Sequence, residues 1–195
     1  MPSLDSAAGI EGLLILVCWV TYGVYWISAA RKAKPNAERQ DLKSMLAHRI
    51  PFILGIFLIA CPNLIDALEV QAIPDKSLAR AAASLICIMG LAFAMWARRT
   101  LAGNWSGSVN FKQGHQLIES GPYRLVRHPI YTGVLLMLLA LALESDSFQA
   151  MLGFAFACVA LVIKLTQEEA LMIRHFPDEY PSYRERVRAL VPFVI

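Results

Sequence analysis

The stretch HQLIESGPYRLVRHPIYTG, residues 115–133, places a dense group of polar side chains directly before a long apolar run. Two histidines, two arginines, a glutamate and two tyrosines occur within these nineteen residues. Ionisable groups beside a membrane-type segment are costly unless they face a polar cavity or a partner. The stretch therefore predicts a functional pocket at the mouth of a small helical bundle.

The chain as a whole is far more apolar than an ordinary soluble domain. Of its 195 residues, 57% are hydrophobic and 17% are charged, whereas about a quarter of a soluble domain is charged. This composition predicts an integral membrane protein, for which no nucleic-acid partner is expected. The four cysteines lie in apolar segments without C-x-x-C spacing, which predicts buried thiols and no metal site.

Five apolar runs predict an all-α integral membrane protein with five transmembrane helices, in a single membrane domain over residues 1–195. A spanning helix needs about 20 apolar residues. The last two runs are shorter and separated by a short turn, so they predict a helical hairpin. No Lys or Arg precedes the first run, which is expected to remain uncleaved. The predicted spans are residues 10–30, 50–65, 78–97, 129–143 and 148–164.

The polar segments outside the spans are expected to form structure at the membrane surface. A short surface helix is predicted at about residues 37–48, and Pro62 is expected to kink or end the second span. The loop of residues 98–128 is predicted to be structured, with a small hairpin made by 109–112 and 116–118. The tail, residues 165–195, predicts an amphipathic helix.

The distribution of basic residues predicts the orientation in the membrane. Sixteen of the eighteen Lys and Arg residues lie in the first loop, the third loop and the C-terminal tail. Cytoplasmic loops carry an excess of these residues. We therefore expect the N-terminus outside and the C-terminus in the cytoplasm. The polar stretch of residues 115–133 and the tail are then on the same face and can share one site.

Two groups of side chains are candidates for chemistry. Pro129 is suited to the first turn of a helix, so His128 and the adjacent Arg127 are expected near a helix N-terminus, which attracts anions. The alternative is that these basic groups anchor the helix at lipid headgroups. Glu168 and Glu169 follow the fifth span, with Lys164 one turn earlier; the alternative for them is an ion pair on a solvated helix.

The remaining sequence features say less about the function of the protein. Trp96 and Trp105 are expected to be interfacial anchors, as aromatic residues near span ends often are. The nucleotide-binding, metalloprotease and hydrolase motifs G-x-G-x-x-G, H-E-x-x-H and G-x-S-x-G are absent. The residues alone therefore predict a membrane enzyme with a cytoplasmic anion-binding pocket.

Two motifs carry a resemblance to a known family. They are H-x-L-x-x-S-G-P-Y-x-x-V-R-H-P-x-Y-x-G at residues 115–133, and E-E-x-x-L/M-x-x-x-F-x-x-E-Y-x-x-Y-x-x-R-V at residues 168–187, followed by a final V-P-F. In order and spacing, residues 101–193 resemble the isoprenylcysteine carboxyl methyltransferase family. The phospholipid methyltransferases are similar.

The resemblance implies S-adenosylmethionine as cofactor, held between the loop of residues 98–128 and the start of the tail. It implies Arg127, Glu168 and Lys164 as catalytic residues, with Arg127 orienting the substrate carboxylate and Glu168 facing the cofactor amine. Many relatives have arginine where this chain has Lys164, and lysine cannot form a bidentate fork with a carboxylate. The implied cofactor-binding residues are His115, Gln116, Leu117, Tyr123, His128, Tyr131, Glu168 and Glu169.

The function implied by the resemblance is methylation of the carboxyl group of a lipid-like, isoprenylcysteine-type acceptor that enters from the bilayer. Three alternatives remain open at this point. They are N-methylation of a phospholipid or other amine, an NADPH-dependent reductase of the sterol-reductase type, and a non-enzymatic membrane scaffold that binds anionic lipids.

Overall fold

The computed structural model describes residues 6–31, 36–38, 40–61, 76–105, 108–112, 114 and 116–192. Most of them belong to helices. The five long helices are α1 (Ser6–Ala30), α2 (Leu42–Ala60), α3 (Lys76–Leu101), α4 (Pro129–Ser145) and α5 (Phe148–His175), and α6 (Tyr180–Arg186) is short. Two 3-10 turns, Ala102–Asn104 and Gly121–Arg124, and the strands β1 (Asn36–Glu38) and β2 (Phe111–Lys112) complete the described elements.

The apolar helices fit an integral membrane protein, as the composition predicted. Four of them are long and apolar enough to cross a bilayer: Gly9–Ala30, Leu42–Ala60, Leu78–Asn104 and Phe148–His175. The apolar helix α4 has 17 residues, which gives about 26 Å at 1.5 Å per residue, less than the roughly 30 Å of a hydrocarbon core. The structure therefore supports four spans by length, with α4 as a shorter apolar helix beside them.

The start of α2 corrects the prediction of a separate surface helix at residues 37–48. Residues 36–38 form β1, and α2 begins at Leu42 and continues through Pro51 without interruption. Asp41 caps the helix, because its carboxylate accepts hydrogen bonds from the backbone N–H groups of Lys43 and Ser44 at 3.0 and 3.3 Å. Pro62 lies outside the described residues.

Helix α5 continues well beyond the predicted fifth span, which ends at residue 164. It reaches His175, so Lys164, Glu168 and Glu169 all belong to one continuous helix. The apolar run ends near residue 163, but the helix persists because its next turns are covered by protein: Leu165, Glu169 and Leu171 are buried. Within the predicted tail, residues 165–175 continue α5, and the short helix α6 follows at Tyr180–Arg186.

The predicted hairpin between residues 109–112 and 116–118 is wrong. β2 pairs antiparallel with β1 instead, and residues 116–119 form no regular element. Gln40 supports this pairing, because its backbone N–H donates to Asn110 Oδ1 at 2.9 Å and its side-chain oxygen accepts from Val109 N–H at 3.2 Å. The first polar loop therefore crosses over the segment 108–112, a contact that local sequence does not indicate.

Close helix packing depends on glycines in two places. A Cβ atom at Gly133 would lie 2.5 Å from the carbonyl oxygen of Gly90, where α4 meets α3. A Cβ at Gly55 would lie 2.6 Å from the oxygen of Gly153, where α2 meets α5. Small residues allow helix backbones to approach in membranes, where apolar burial gives little drive for association. These two contacts pair α3 with α4 and α2 with α5.

Replacing Gly133 by alanine is expected to destabilise the bundle, because the new methyl group would overlap the Gly90 carbonyl. Overpacking of this kind costs about 1–3 kcal/mol. The matched control is Gly23→Ala on α1, where a Cβ would meet nothing within 4 Å. Thermal unfolding of detergent-solubilised protein, followed by tryptophan fluorescence, should show a lower Tm for the first variant only; equal Tm values would contradict the packing argument.

The four cysteines are free thiols. Cys18 and Cys87 are buried, as predicted, while Cys61 and Cys158 are partly buried. Among the described residues, no group of three or more histidine, cysteine, aspartate or glutamate side chains is arranged to hold a metal ion.

Candidate functional site

A cavity of about 440 Å³ lies at one end of the bundle. It is the end at which α1 and α3 finish and α2 and α4 begin. All five long helices contribute to its wall, together with the segment between α3 and α4 and with α6. One part of the lining is mainly apolar or aromatic, formed by Tyr22, Trp26, Phe52, Trp105, Val134 and Leu161, and another part is polar, formed by Arg127, His128, Tyr131, Lys164 and Glu168.

The buried Arg98 supports the aromatic wall. Its guanidinium donates to the carbonyl oxygens of Ala29 at 2.8 Å and Ala102 at 2.6 Å, so it joins the ends of α1 and α3. The same group lies 4.6 Å from the ring centroid of Trp105, a cation–π contact. Trp105 meets the edge of Trp26 with centroids 6.3 Å apart. Trp105 therefore lines the cavity, while its role as an interfacial anchor stays a prediction.

The segment before α4 is held against the C-terminal tail by backbone hydrogen bonds. The N–H groups of Arg127 and His128 donate to the carbonyl oxygens of Arg188 and Ala189 at 2.8 and 2.9 Å. The hydroxyl of Thr132 donates to Leu190 O at 2.7 Å. These bonds hold the polar stretch and the tail together, as their predicted position on the same face requires.

Glu169 is the centre of a buried charge cluster. Its Oε1 accepts hydrogen bonds from Arg127 Nε at 2.8 Å and Arg127 Nη2 at 2.6 Å, and it lies 3.2 Å from His128 Nε2. Its Oε2 lies 3.3 Å from Arg184 Nε. Arg127 Nη1 also donates to the backbone oxygens of Arg184 and Val187. The Arg127 guanidinium therefore clamps the tail to α5, and the buried Glu169 carboxylate has the partners that its burial requires.

Glu168, the neighbouring residue, lines the cavity. The Tyr131 hydroxyl donates to its Oε1, and His128 Nδ1 lies 3.7 Å from its Oε2. The rings of His128 and Tyr131 are parallel, with centroids 5.5 Å apart. His128 thus lies between two carboxylates, Glu169 on its Nε2 side and Glu168 on its Nδ1 side.

Lys164 lies one helical turn before Glu168 and also lines the cavity. Its ammonium group is 5.2 Å from the ring centroid of Tyr131, within the range of a cation–π contact. The cavity therefore presents a cation and a carboxylate from the same face of α5. An acidic ligand group and a basic ligand group can be bound side by side in such a cavity.

The tyrosines around the cavity are neutral hydrogen-bonding groups. Tyr123 and Tyr183 are buried, and the Tyr183 hydroxyl donates to the Tyr123 carbonyl oxygen at 2.6 Å. Burial raises the pKa of Tyr123, and likewise that of Tyr183, well above the ordinary value for a phenol. At neutral pH these side chains therefore keep their protons.

Residues 82–174 match the model of the Isoprenylcysteine carboxyl methyltransferase (ICMT) family. The matched segment contains Arg127, His128, Lys164 and both glutamates of the site. The match covers just under half of the chain, and over this segment the chain is similar to the isoprenylcysteine carboxyl methyltransferase family. The resemblance given by the two sequence motifs is thereby confirmed.

Two of the similar proteins are named isoprenylcysteine O-methyltransferases, and a third is uncharacterized. The chain is 31% identical over 81 residues to a protein-S-isoprenylcysteine O-methyltransferase of Schizosaccharomyces pombe, covering 41% of this chain and 34% of the relative. It is 32% identical over 94 residues to protein-S-isoprenylcysteine O-methyltransferase A of Arabidopsis thaliana, covering 44% of each. The match therefore spans less than half the length of either enzyme. The uncharacterized protein YpbQ of Bacillus subtilis is 23% identical over 145 residues, covering 73% of this chain and 85% of YpbQ.

The structure brings most of the predicted site residues together. Those that line the cavity are Leu117, Tyr123, Arg127, His128, Tyr131, Lys164 and Glu168. Gln116 is exposed and is not part of the lining, and Glu169 is buried in the charge cluster beside the cavity. His115 lies outside the described residues.

Sequence reasoning missed the contribution of the N-terminal half. Tyr22, Trp26 and Phe52 line the cavity, but in the sequence they are aromatic residues within ordinary spans. The clustering of aromatic residues at Trp19, Tyr22, Tyr25 and Trp26, near the end of the first span, was the available signal. It did not indicate which ring would face the site, because this depends on how α1 packs against α3.

Proposed function

We propose that this protein is a methyltransferase that uses S-adenosylmethionine to methylate the carboxyl group of an isoprenylcysteine-type lipid acceptor at the membrane interface. The observation that carries the proposal is a single cavity, built largely by the family segment, in which the cation Lys164 and the carboxylate Glu168 lie beside an apolar wall. Such a lining suits a charged cofactor and an acceptor with a polar head and an apolar tail.

The residues present fit S-adenosylmethionine, which carries an ammonium, a carboxylate and a sulfonium cation. Glu168 would hold the ammonium group, with His128 and Tyr131 beside it, and the rings of the wall can stabilise a cation. Leu117 and Tyr123 would contact the rest of the cofactor. We also propose His115 and Gln116 as cofactor-binding residues. When bound, this cofactor supplies an electrophilic methyl group.

The chain itself supplies position and exclusion of water for the acceptor. An ionised carboxylate is already nucleophilic, so no general base is required, and correct alignment gives most of the rate increase. Lys164 is the side chain that we assign to the acceptor carboxylate, since it lines the cavity as a cation. Phe52, Val134 and Leu161 would receive the apolar tail and keep water from the reacting groups.

This assignment changes the role proposed for Arg127. The resemblance implied that Arg127 orients the substrate carboxylate. Three of its nitrogens are already bound to Glu169 and to two backbone oxygens of the tail. We therefore propose that Arg127 maintains the site by holding the tail, and that Lys164 meets the substrate.

The excess of Lys and Arg at the cavity end of the bundle supports a cytoplasmic active site. Arg49, Arg98, Arg127 and Arg184 all lie at this end, near the starts of α2 and α4 or the ends of α3 and α6. A water-soluble cofactor would then enter from the cytoplasm, while the acceptor enters from the bilayer.

The direct test is methyl transfer by the purified, detergent-solubilised protein from radiolabelled S-adenosylmethionine to N-acetyl-S-farnesylcysteine. We expect a labelled product that releases methanol in base, because a methyl ester is hydrolysed by base and an N-methyl group is not. Label in a base-stable phospholipid product would instead support amine methylation. Titration with S-adenosylhomocysteine and NADPH separates the remaining readings: heat with NADPH alone supports a reductase, and heat with neither supports a scaffold.

A further inference from the structure

A buried arginine lies at the junction of α1 and α3, in the last turn of α3. Arg98 is 3% exposed, and its guanidinium donates to Ala29 O at 2.8 Å and to Ala102 O at 2.6 Å. Ala29 belongs to the last turn of α1, and Ala102 directly follows α3. Carbonyl groups at a helix C-terminus lack partners within the helix and carry partial negative charge. Arg98 therefore satisfies the ends of two helices with one side chain.

The turn that Arg98 holds contains a strained residue. Ala102 has a φ of 47°, in the left-handed region, where the Cβ of a residue other than glycine crowds the following carbonyl oxygen. Helices often end with a residue in this conformation, but that residue is usually glycine. Such a conformation persists where surrounding contacts enforce it. The hydrogen bond from Arg98 to the Ala102 carbonyl oxygen supplies such a contact.

The strained turn determines where two lining residues of the main cavity lie. Asn104 ends the turn and Trp105 caps it, and both line the cavity. The Arg98 guanidinium also lies 4.6 Å from the Trp105 ring centroid. If Ala102 returned to the right-handed region, the chain after it would leave in a different direction. The position of Trp105 in the aromatic wall therefore depends on the turn that Arg98 holds.

Helix α1 carries the other rings of this wall and is only lightly packed. The buried share of its apolar window is 11%, compared with 39% for α5. Trp26 lies one turn before Ala29 and meets Trp105 with ring centroids 6.3 Å apart, and Tyr22 stacks on Trp26 at 4.1 Å. In a bilayer, apolar burial gives little drive for α1 to stay against α3. The bond from Arg98 to Ala29 therefore fixes the end of α1 that carries these rings.

We propose that Arg98 is a positioning residue for methyl transfer. It holds the end of α1 and the turn after α3 together, so that Trp26 and Trp105 close this side of the cavity around the bound molecules. The inference rests on the proposed function and goes beyond it, because Arg98 does not line the cavity and acts through the two rings. What it supplies is alignment and exclusion of water.

The test combines Arg98→Met with Ala102→Gly. Methionine removes a buried charge whose Nε has no hydrogen-bond partner in the described part of the chain, so the variant is expected to fold. We expect its kcat for methylation of N-acetyl-S-farnesylcysteine to fall about tenfold, because the reacting groups lose alignment. Adding Ala102→Gly should restore about fivefold, since glycine adopts the left-handed conformation without the cost to alanine. Ala102→Gly alone is the reference for this coupling.

Arg99→Met is the matched control, because Arg99 is the neighbouring arginine and is exposed. Its guanidinium lies 5.9 Å from the Tyr25 ring centroid. Surface substitutions have small effects, so kcat should stay within about twofold. If Arg98→Met does not fold, Arg98→Lys with and without Ala102→Gly decides in the same way, because lysine keeps the charge but lacks the fork that reaches two carbonyl groups.

Near-ultraviolet circular dichroism reads the contact between Trp26 and Trp105 without any activity measurement. Trp105→Phe identifies the signal of this contact, which Arg98→Met should lose and the double variant should regain. An Arg98→Met protein with normal kcat or an unchanged spectrum would overturn the inference, as would a loss of activity that Ala102→Gly does not relieve. If the unmodified protein transfers no methyl group, the proposed function fails, and the spectra alone decide whether Arg98 positions the two rings.

Discussion

Arg127→Ala is expected to abolish methyl transfer and to release the C-terminal tail from α5. The substitution removes two hydrogen bonds to Glu169 and those to the backbone oxygens of Arg184 and Val187. Removing one partner of a buried ion pair costs about 3–5 kcal/mol. His128 would lose its fixed position, since it shares the Glu169 oxygen with Arg127. We expect cofactor binding and turnover to fall together, measured by calorimetry with S-adenosylhomocysteine and by methyl transfer.

The matched control is Arg186→Ala, which removes the exposed pair of Arg186 with Glu119 at 3.0 Å. Exposed pairs contribute about 1 kcal/mol or less, so this variant should remain active. Arg127→Lys is expected to be poor as well, because lysine cannot replace the planar fork that bridges a carboxylate and two carbonyl oxygens. A folded Arg127→Ala protein with normal cofactor affinity and only a raised substrate KM would instead show that Arg127 binds the acceptor directly.

Glu168→Gln is expected to weaken the binding of S-adenosylmethionine by at least about tenfold. The variant keeps the shape of the side chain and an oxygen for the Tyr131 hydroxyl, but it removes the charge that would pair with the cofactor ammonium. A hydrogen bond to a charged group contributes about 1.5–3 kcal/mol. The measurement is calorimetric titration with S-adenosylhomocysteine, which carries the same ammonium group.

Glu185→Gln is the control for this substitution, because Glu185 is an exposed glutamate on α6 away from the cavity lining. It should leave cofactor affinity unchanged. A Glu168→Gln protein that binds the cofactor normally but transfers the methyl group slowly would contradict the assignment. That result would place Glu168 at the acceptor and not at the cofactor amine.

The two adjacent glutamates show which features of the site could be predicted from the sequence and which could not. The resemblance placed both Glu168 and Glu169 among the cofactor-binding residues and assigned the cofactor amine to Glu168. In the structure Glu168 lines the cavity, whereas Glu169 is bound by Arg127, His128 and Arg184. Neighbouring residues on a helix point about 100° apart, so which one faces the cavity depends on the rotation of α5 within the bundle.

The secondary structure shows a similar limit at α2 and α5. Hydropathy located both helices, but each helix extends beyond the predicted span, which begins at residue 50 in α2 and ends at residue 164 in α5. The helices begin and end at Leu42 and His175. The polar turns remain helical because protein covers them. His48 and Gln167 bond to each other across the two helices, so the added turns satisfy each other's polar groups.

By itself, the sequence determined that the chain is an apolar helical protein of the membrane type and which family it resembles, and it predicted that the polar stretch and the tail lie on the same face. These are properties of helix length, composition and local motif, which need no knowledge of contacts. Only the tertiary structure decided that Arg127 is bound to Glu169 and the tail, that Trp26 and Trp105 form the aromatic wall, and that His48 contacts Gln167. Each of these contacts depends on how helices that are distant in sequence are rotated and how closely they approach. Glycine contacts and buried hydrogen bonds determine that arrangement, and hydropathy contains no information about it.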